Sequence, residues 1–433
     1  MIATLVISII TFILITISIL FFPTFKVRHL HISSFWVVAL VGACLLLICQ
    51  LVPFDRIRTE LTSDGGINPL KILVLFFSMT FLSIFLDEIG LFRLLANKAC
   101  KVAGKNQIIL FIILYLLTSI LTVFTSNDVV ILTFTPFICF FCKNAKINPL
   151  PYLVSEFAAA NTWSMMLIIG NPTNIYLGTS AGINFIDYIQ VMALPTLAAG
   201  VVEFVLILLL FRKQLKEEMS LNISDEINID KFELIVGVLH LVVCLVLLVI
   251  SSYISLEMWL ISAICAGSLI VVIVVSRLIR KRSLRQFIHI TGRLPWQLIP
   301  FVLSMFTIVV AMNYQGISDK IGEILGSDAI VWKYGFSSFI MANFINNIPM
   351  SILFSSIPTG LASAAYKQAV YASIVGSNIG AFLTPIGALA GIMFTNLTEA
   401  YDVKYGFKEF IKYGVIISIP TISVTLLMLM VLV

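Results

Sequence analysis

Long apolar runs, separated by short polar stretches, make up most of this chain. Ten of them approach the roughly 20 residues that a helix needs to cross the hydrocarbon core of a bilayer. The pattern therefore predicts an all-α membrane protein with about ten transmembrane helices. They are expected at residues 2–22, 34–52, 69–88, 152–176, 187–211, 232–253, 257–276, 297–313, 366–395 and 408–432.

Two further apolar stretches, 107–142 and 329–357, are each interrupted near the middle by a polar tip. Backbone that leaves a helix at membrane depth must be buried in protein or line a cavity, because lipid cannot satisfy its peptide groups. Each stretch is predicted to form two half-length helices that enter and leave on the same face, as a re-entrant hairpin. The mixed polar and apolar segments 91–105 and 315–327 are predicted to be interfacial helices that precede the hairpins.

The polar breaks recur about half a chain apart. Asn346 lies 219 residues after Asn127, and Asn378 lies 217 residues after Asn161. Each half would contain five crossings and one hairpin, and an odd number of crossings inverts the second half relative to the first. The predicted organisation is a first inverted repeat at 1–211, a cytoplasmic linker at 212–231 and a second inverted repeat at 232–433.

The positions of the 27 Lys and Arg residues support this topology. If both ends of the first hairpin are cytoplasmic, most of these residues lie inside, as the positive-inside rule requires. Both termini are then predicted to lie outside. The basic residues left on the outside are Arg56, Arg58, Lys71, Lys320, Lys333 and Lys367.

Composition agrees with a multi-pass protein of the cell inner or plasma membrane. Only 11% of the residues are charged, against about 25% in soluble domains, and the mean hydropathy is +1.08. The net charge of +5 reflects basic cytoplasmic loops, so no nucleic acid partner is expected. We expect no enzyme activity, cofactor or metal site, and without a nucleotide-binding loop the chain alone is not expected to pump with ATP.

Two acidic residues are candidate proton carriers. Asp128 lies at the first hairpin tip between long apolar runs, and a charged carboxylate at membrane depth is costly enough to mark a functional site. The alternative for Asp128 is a structural cap that accepts backbone N–H bonds. Glu156 lies in the apolar stretch before Asn161, where it either faces the same cavity or reaches the membrane interface.

Neutral polar residues at the breaks are predicted to contact the solute. Asn, Ser and Thr side chains, together with freed backbone groups, suit an ion or a hydroxyl-rich neutral solute. Gly170, Pro172, Gly380 and Pro385 mark the unwound turns. The candidate substrate and ion ligands are Ser126, Asn127, Asp128, Asn161, Thr162, Asn171, Thr173, Asn346, Asn347, Asn378 and Thr384.

Seven cysteines lie mostly within apolar runs, so no disulfide framework is expected. Cys139 and Cys142 have helical spacing and are interpreted as two packed core residues. The alternative is capture of a soft metalloid by their thiolates.

Two motifs resemble the bacterial arsenite efflux permease family, within the ion transporter superfamily. Asn127-Asp128 followed by Thr135-Pro136 is similar to the first-hairpin pattern of that family, and residues 380–390, GAFLTPIGALA, look like its signature after the second hairpin. The resemblance covers nearly the whole chain. It implies export of arsenite or antimonite, as neutral hydroxides, in exchange for protons.

The sequence is thus predicted to encode a secondary transporter of a small oxyanion or metalloid hydroxide, with Asp128 as the proton-coupling acid and Glu156 in reserve. A second hypothesis is a Na⁺-coupled symporter of a dicarboxylate or inorganic anion, as in the related divalent anion/sodium symporters. A third is a channel or membrane sensor without coupled transport. The lipid membrane, the solute and H⁺ or Na⁺ are the expected partners, with association of an ATPase subunit and a homodimer left open.

Overall fold

The computed structural model of the chain describes residues 1–22, 24–27, 30–62, 68–219 and 229–433. The centre of the predicted linker, residues 220–228, lies outside the described residues. Helices account for nearly all regular structure in the described chain, as the apolar pattern predicts. One antiparallel β-ribbon joins β1 (Thr24–Val27) to β2 (Leu30–Ser33).

Ten α-helices form the first half of the chain. They are α1 (Ile2–Phe21), α2 (Ser34–Ile48), α3 (Phe54–Thr62), α4 (Pro69–Glu88), α5 (Leu91–Ala103), α6 (Gln107–Phe124), α7 (Asn127–Ala145), α8 (Leu150–Trp163), α9 (Pro172–Ser180) and α10 (Phe185–Phe211). Short 3-10 turns occupy Ser164–Met166, Ile168–Gly170 and Gln214–Lys216.

Ten more α-helices form the second half. They are α11 (Lys231–Ile250), α12 (Met258–Ile279), α13 (Arg285–Gly292), α14 (Leu298–Tyr314), α15 (Ile317–Leu325), α16 (Ile330–Ile345), α17 (Asn347–Ser356), α18 (Ser363–Gly380), α19 (Leu389–Ala400) and α20 (Phe407–Leu432). A 3-10 turn at Ile357–Gly360 follows α17.

Eight helices in the described part of the chain are long and apolar enough to cross a membrane, namely α1, α4, α6, α7, α10, α11, α12 and α20. The count becomes nine if α14 and α15, which meet at 78°, are taken as one broken span. Six of these helices are among the ten predicted spans, and the other two, α6 and α7, are the arms of the first hairpin. Of the four remaining predicted spans, 34–52 forms α2, a helix of only 15 residues, 297–313 forms α14, with 17 residues, and two are broken.

Those two broken spans are the fourth and the ninth, where the sequence placed Gly, Pro and Asn. The fourth consists of α8 and α9, separated by the two 3-10 turns before Asn171. The ninth consists of α18 and α19, with the segment 381–388 between them. Glycine allows close approach in this region, since a Cβ on Gly376 would lie 2.2 Å from the carbonyl oxygen of Gly335.

Both polar tips interrupt helices as predicted. The arms of the first hairpin, however, are not half-length, because α6 has 18 residues and α7 has 19. A helix rises 1.5 Å per residue, so each arm is about 27 Å long. The second hairpin is shorter, with 16 residues in α16 and 10 in α17.

The two amphipathic segments before the hairpins are helices, α5 and α15. Each begins after a left-handed glycine, Gly90 with φ 94° and Gly316 with φ 69°. Each also ends at a glycine with positive φ, Gly104 or Gly326. Left-handed backbone is unstrained for glycine, so the same local device places both helices at an angle to the preceding span.

Helix packing follows matching pairs in the two halves. In the first half α1 packs on α2, α6 on α8 and α8 on α10, and in the second α11 packs on α12, α16 on α18 and α18 on α20. Contacts between the halves are also reciprocal, because α7 packs on α19 while α17 packs on α9. The core therefore joins each hairpin to the broken span of the opposite half.

Candidate solute site at the helix breaks

The first tip lies between α6 and α7, where residues 125 and 126 leave the helix. Ser126 is extended, with φ −133° and ψ 140°, and Asn127 begins α7. The side chains of both residues are buried. The Nδ2 of Asn127 donates to the Oδ1 of Asn161 on α8 over 3.2 Å. This bond joins the first tip to the fourth span.

The second tip is held by asparagine in a strained conformation. Asn346 has φ 72°, a left-handed value that asparagine tolerates better than most residues. Its Oδ1 accepts from the N–H of Ile348 at 3.3 Å, which caps α17, and its Nδ2 donates to the carbonyl of Ile386 at 2.9 Å. The N–H of Asn347 donates to the carbonyl of Gly387 at 3.0 Å. The second tip is thus docked on the break of the ninth span.

Asn378 joins the two broken spans. Its Oδ1 accepts from the Oγ of Ser164 at 2.9 Å and from the Nδ2 of Asn171 at 3.0 Å. Its Nδ2 donates to the Oδ1 of Asn174 at 2.6 Å and to the carbonyl of Ile374 at 2.8 Å. Asn378 is fully buried, and these bonds use the whole capacity of its amide.

Asn171 also caps α9. Its Oδ1 accepts from both the N–H and the hydroxyl of Thr173, each at 3.1 Å. Pro172 occupies the first turn of α9, where its missing N–H costs nothing. The motif at 170–174 therefore caps the start of α9, and Asn171 holds this end of the helix beside Asn378. Asn174 and Ser164 contribute to this cluster and were not among the predicted site residues.

Two predicted ligands face other partners. Thr384 donates from its hydroxyl to the Oδ1 of Asn343 on α16 at 2.6 Å, and the Nδ2 of Asn343 donates to the carbonyl of Gly380 at 3.0 Å. Thr162 donates to the carboxyl of Glu203 on α10. Glu203 and Asn343 were not predicted, although Glu203 could have been noticed as an acid within the long apolar run of α10.

The two predicted acids differ in their surroundings. Asp128 is half-buried, and its carboxylate has no hydrogen bond or ion pair with any described residue. Glu156 is buried and accepts from the hydroxyl of Thr135 on α7, at 3.1 Å and 3.3 Å to its two oxygens. Thr135 lies about two helical turns after Asp128 on α7. The bond between Thr135 and Glu156 therefore joins α7 to α8 about two turns away from the tip.

Several buried polar atoms at the tips have no partner among the described residues. They include Ser126 Oγ, Asn127 Oδ1 and Ser377 Oγ, the last beside Asn378. Buried polar groups are normally hydrogen-bonded, so unpaired ones are available to water or solute. Ser126 and Asn127 therefore keep free bonding capacity in the chain segment next to Asp128.

The two cysteines of the CxxC pair, Cys139 and Cys142, are free and buried on α7. No group of three or more His, Cys, Asp or Glu side chains within the described chain is arranged to hold a metal ion. Both cysteines are thus buried side chains on one helix.

Two cavities flank the reciprocal helix pairs. One of about 330 Å³ is lined by Tyr176 and Ser180 of α9, Ser355 and Ser356 of α17, and Arg56 of α3, among others. The other, of about 380 Å³, lies between the end of α7 and the segment after α19. Its lining includes Cys139, Lys143, Asn148, Tyr401 and Lys404.

An all-helical, multi-pass membrane protein, with buried polar breaks in two halves that contact one another, belongs to the class of transporters. The chain is a member of the citrate transporter family, whose model matches residues 12–376. The chain is therefore a membrane transporter.

Curated relatives carry a different substrate name. The chain is 26% identical over 365 residues to an arsenical pump membrane protein of Escherichia coli strain K12, covering 81% of this chain and 84% of the relative. It is 22% identical over 404 residues to a 46 kDa membrane protein of Mycobacterium leprae, covering 89% and 91%.

A solved structure shares the fold. The YdaH transporter of Alcanivorax borkumensis, described as having an unusual topology, superposes with a TM-score of 0.56. The alignment covers 99% of this chain and 97% of that chain at 12% identity. At this level of identity the likeness concerns the fold alone.

Proposed function

We propose that this chain is a secondary transporter that exchanges a small, neutral hydroxide of the arsenite or antimonite type for protons. The observation that carries the proposal is the chemistry of the breaks. Amide and hydroxyl groups converge there around Asn378 and Asn127, together with the acid Asp128. No Lys or Arg takes part in the described hydrogen bonds of this cluster. Such a cradle suits a solute with hydroxyl groups and no charge.

A multivalent carboxylate fits this cluster less well. Carboxylates are usually bound through Arg or Lys, which provide charge-assisted hydrogen bonds. The tip instead offers Asp128, which in its ionised form would repel an anion. The names of the E. coli relatives point in the same direction as the cluster, whereas the family name, citrate transporter, supports the alternative of carboxylate transport.

The two halves would act as inverted repeats, 1–211 and 232–433, joined by the linker at 212–231. The reciprocal packing of α7 on α19 and of α17 on α9 supports this organisation. In the topology with both termini outside, the cavity at Arg56 opens outside and the cavity at Lys143 opens to the cytoplasm. Each cavity would then be the access route of one state in an alternating-access cycle.

Asp128 is the proposed coupling acid. It lies one residue from Asn127, which binds the fourth span, and its carboxyl is neither hydrogen-bonded nor paired in the described chain. An acid that is free of structural bonds can gain and lose a proton as its surroundings change. Glu156, in contrast, is bound to Thr135 two turns away and remains the reserve candidate.

The test is transport by the purified protein in liposomes. Arsenite accumulation would be measured with a proton gradient, with a Na⁺ gradient and with neither, and citrate and succinate would be tested in parallel. Uphill arsenite movement that follows the proton gradient and ignores Na⁺ is the expected result.

The other outcomes separate the alternatives. Succinate or citrate movement driven by Na⁺, without arsenite movement, would replace the proposal with the symporter hypothesis. Solute that only equilibrates, whatever the gradient, would indicate a channel.

A further inference from the structure

Glu203 is a buried acid that the proposed cycle does not use. It lies in the middle of α10 and its side chain is completely buried against α8 and α6. Its Oε2 accepts from the hydroxyl of Thr162, and its Oε1 has no partner among the described residues. No Lys, Arg or His of the described chain forms an ion pair with it. A buried carboxylate without a counter-ion is costly, which favours the neutral acid.

Tyr115, on α6, is the titratable side chain that lies beside Glu203. The hydroxyl of Tyr115, on α6, donates its one proton to the carbonyl of Gly200 at 2.6 Å and accepts from the Nε1 of Trp163 at 3.1 Å. The Tyr115 oxygen also interacts with Glu203. Because the phenolic proton is already committed, Tyr115 can offer Glu203 only a lone pair.

The groups that face Glu203 from its neighbours are almost all neutral. Tyr115 of α6 is titratable, whereas Thr162 and Trp163 of α8 are not. On α20, which packs along α10, the charged residues Lys408, Glu409 and Lys412 lie in the first turns. That end of α20 meets the far end of α10, where Tyr413 packs against Phe211 about two turns from Glu203.

Hydroxyl groups on α6 lead from Tyr115 towards the first tip. Thr118 and Thr122 follow Tyr115 at intervals of three and four residues, so they share one face of α6, and Ser126 lies in the tip that follows the helix. All three are buried, and none of their hydroxyls has a partner among the described residues. Ser119 behaves differently, because its hydroxyl bonds the carbonyl of Tyr115 at 2.7 Å.

The unpaired hydroxyls of Thr118, Thr122 and Ser126 are expected to bind internal water. Buried polar groups rarely stay unpaired, and internal water commonly supplies the missing bonds. On α8, Glu203 bonds Thr162, and the neighbouring residue Asn161 bonds Asn127 at the tip. The hydroxyls along α6 are thus the route by which water could join Glu203 to the solute cluster.

We infer that Glu203 is a second proton site of the transporter, connected to Ser126 and Asn127 by water bound to Thr118 and Thr122. Glu203 would alternate between the carboxylic acid and the carboxylate by giving a proton to this chain of water and taking one back. No other bond is made or broken. The inference rests on the proton-coupled transport proposed above and adds a proton store behind the solute cluster.

Two measurements test it on the full chain in liposomes. Infrared difference spectra across pH would record the C=O band of protonated carboxylic acids, and arsenite accumulation would be driven by a pH gradient. Glu203→Gln should remove one protonated-carboxyl band at neutral pH and lower gradient-driven accumulation at least about tenfold. Glu203→Asp keeps an acid and should recover part of both signals.

Further variants test the inference even if a substitution of Glu203 prevents the protein from folding. Thr118→Val and Thr122→Val preserve side-chain volume and remove the free hydroxyls, so both should lower gradient-driven accumulation. Ser119→Ala is the matched control and should behave like the parent, because its hydroxyl bonds only its own helix. Tyr115→Phe should shift the infrared band of Glu203, since the carboxyl loses the polar side chain beside it.

The outcomes separate this inference from the proposed function. If the parent protein moves arsenite without regard to the pH gradient, the proposed function fails, and the coupling role of Glu203 fails with it. If the parent couples to protons but Glu203→Gln couples equally well, or loses no infrared band, only the assignment of Glu203 is overturned. Accumulation by Thr118→Val and Thr122→Val at the parent rate would overturn the water connection.

Discussion

The Nδ2 of Asn378 donates to the Oδ1 of Asn174 across 2.6 Å, and this contact joins the broken spans of the two halves of the chain. Asn378 lies on α18 and Asn174 on α9. Neither half can therefore move at this point without breaking a buried hydrogen bond between two side-chain amides. A solute that offers replacement hydroxyls could open this contact at little cost, which would couple binding to movement.

The first prediction concerns Asn378. Asn378→Ala removes four hydrogen bonds at a fully buried position and leaves partners unpaired, each at a cost of about 1–3 kcal/mol. We expect loss of arsenite transport together with a lower melting temperature in detergent. The matched control is Asn184→Ser, since Asn184 caps α10 at the surface and serine is also a good cap. A fully active Asn378→Ala would reduce this amide to a replaceable packing group.

The second prediction concerns Asn161, which joins the first tip to the fourth span. Asn161 accepts from Asn127 and donates to the carbonyl of Phe157 on its own helix, so it makes fewer bonds across the molecule than Asn378. We expect Asn161→Ala to lose transport with a smaller drop in melting temperature than Asn378→Ala causes. Normal arsenite accumulation by this variant would show that the contact between α7 and α8 is dispensable.

The sequence was sufficient to locate the breaks but not to orient every side chain near them. Asn, Gly and Pro within apolar runs indicate where a helix must stop, and Asn171, Asn346 and Asn378 all form bonds across such breaks. Which face of α8 meets which neighbour depends on packing. Asn161 and Thr162 are adjacent, yet one faces the tip and the other faces Glu203.

Structure outside the long apolar runs was harder to predict. The β-ribbon and the helices α3 and α13 are short and lie in polar segments, where hydrophobic periodicity is weak. Full-length arms in the first hairpin were also missed, because the stretch was interpreted as two half-length helices that meet at the polar tip. Each arm is long and apolar enough to cross a membrane by itself.

The side of the membrane reached by each hairpin end is the next prediction. Lys105→Cys and Asn144→Cys, at exposed positions before and after the first hairpin, should both react with an impermeant thiol reagent from the cytoplasmic side only. Lys320→Cys on α15 should react only from outside. Gly104 and Lys146 are less suitable positions, since both have φ 57° and a cysteine would be strained.

One labelling outcome would contradict the predicted topology of the first hairpin. The native cysteines would first be replaced, because Cys44 and Cys49 are exposed. Reaction of positions 105 and 144 from opposite sides would make the first hairpin an odd number of crossings. The inverted-repeat organisation would then be wrong, whereas the hydrogen bonds at the breaks would be unaffected.

A buried ion pair provides a prediction about stability alone. Arg277 on α12 and Glu233 on α11 are both buried, with Nε–Oε1 at 2.8 Å and a second bond at 2.6 Å. Glu233→Gln leaves the guanidinium without a counter-ion, and we expect a loss of about 3–5 kcal/mol of unfolding free energy. Replacing both residues, as in Glu233→Gln with Arg277→Met, should recover part of it.

The control for that pair is Lys333→Ala, which breaks an exposed ion pair with Asp328. Exposed pairs are screened by water and salt, so no measurable change in stability is expected. Unfolding would be followed by denaturant titration of the purified protein. Equal effects of Glu233→Gln and Lys333→Ala would mean that burial of the Arg277–Glu233 pair contributes nothing.

The last prediction concerns coupling at Asp128. Its carboxyl lies at the start of α7 beside Asn127 and makes no described hydrogen bond, so amide substitution should disturb little of the structure. Asp128→Asn keeps the shape and hydrogen-bonding reach of the side chain but cannot titrate. A carrier that takes up a proton on one side and releases it on the other needs a group that does. We therefore expect the variant to exchange labelled arsenite across liposomes at equal pH, yet fail to concentrate it when a pH gradient is imposed.

The design separates Asp128 from the other acids. Glu156→Gln removes a carboxyl that is bound to Thr135, so a melting-temperature change with retained coupling is expected there. Glu203→Gln should reduce coupling, in line with its place behind the cluster. If Asp128→Asn concentrates arsenite as well as the parent does, Asp128 is not the coupling acid, and Glu156 and Glu203 become the remaining candidates.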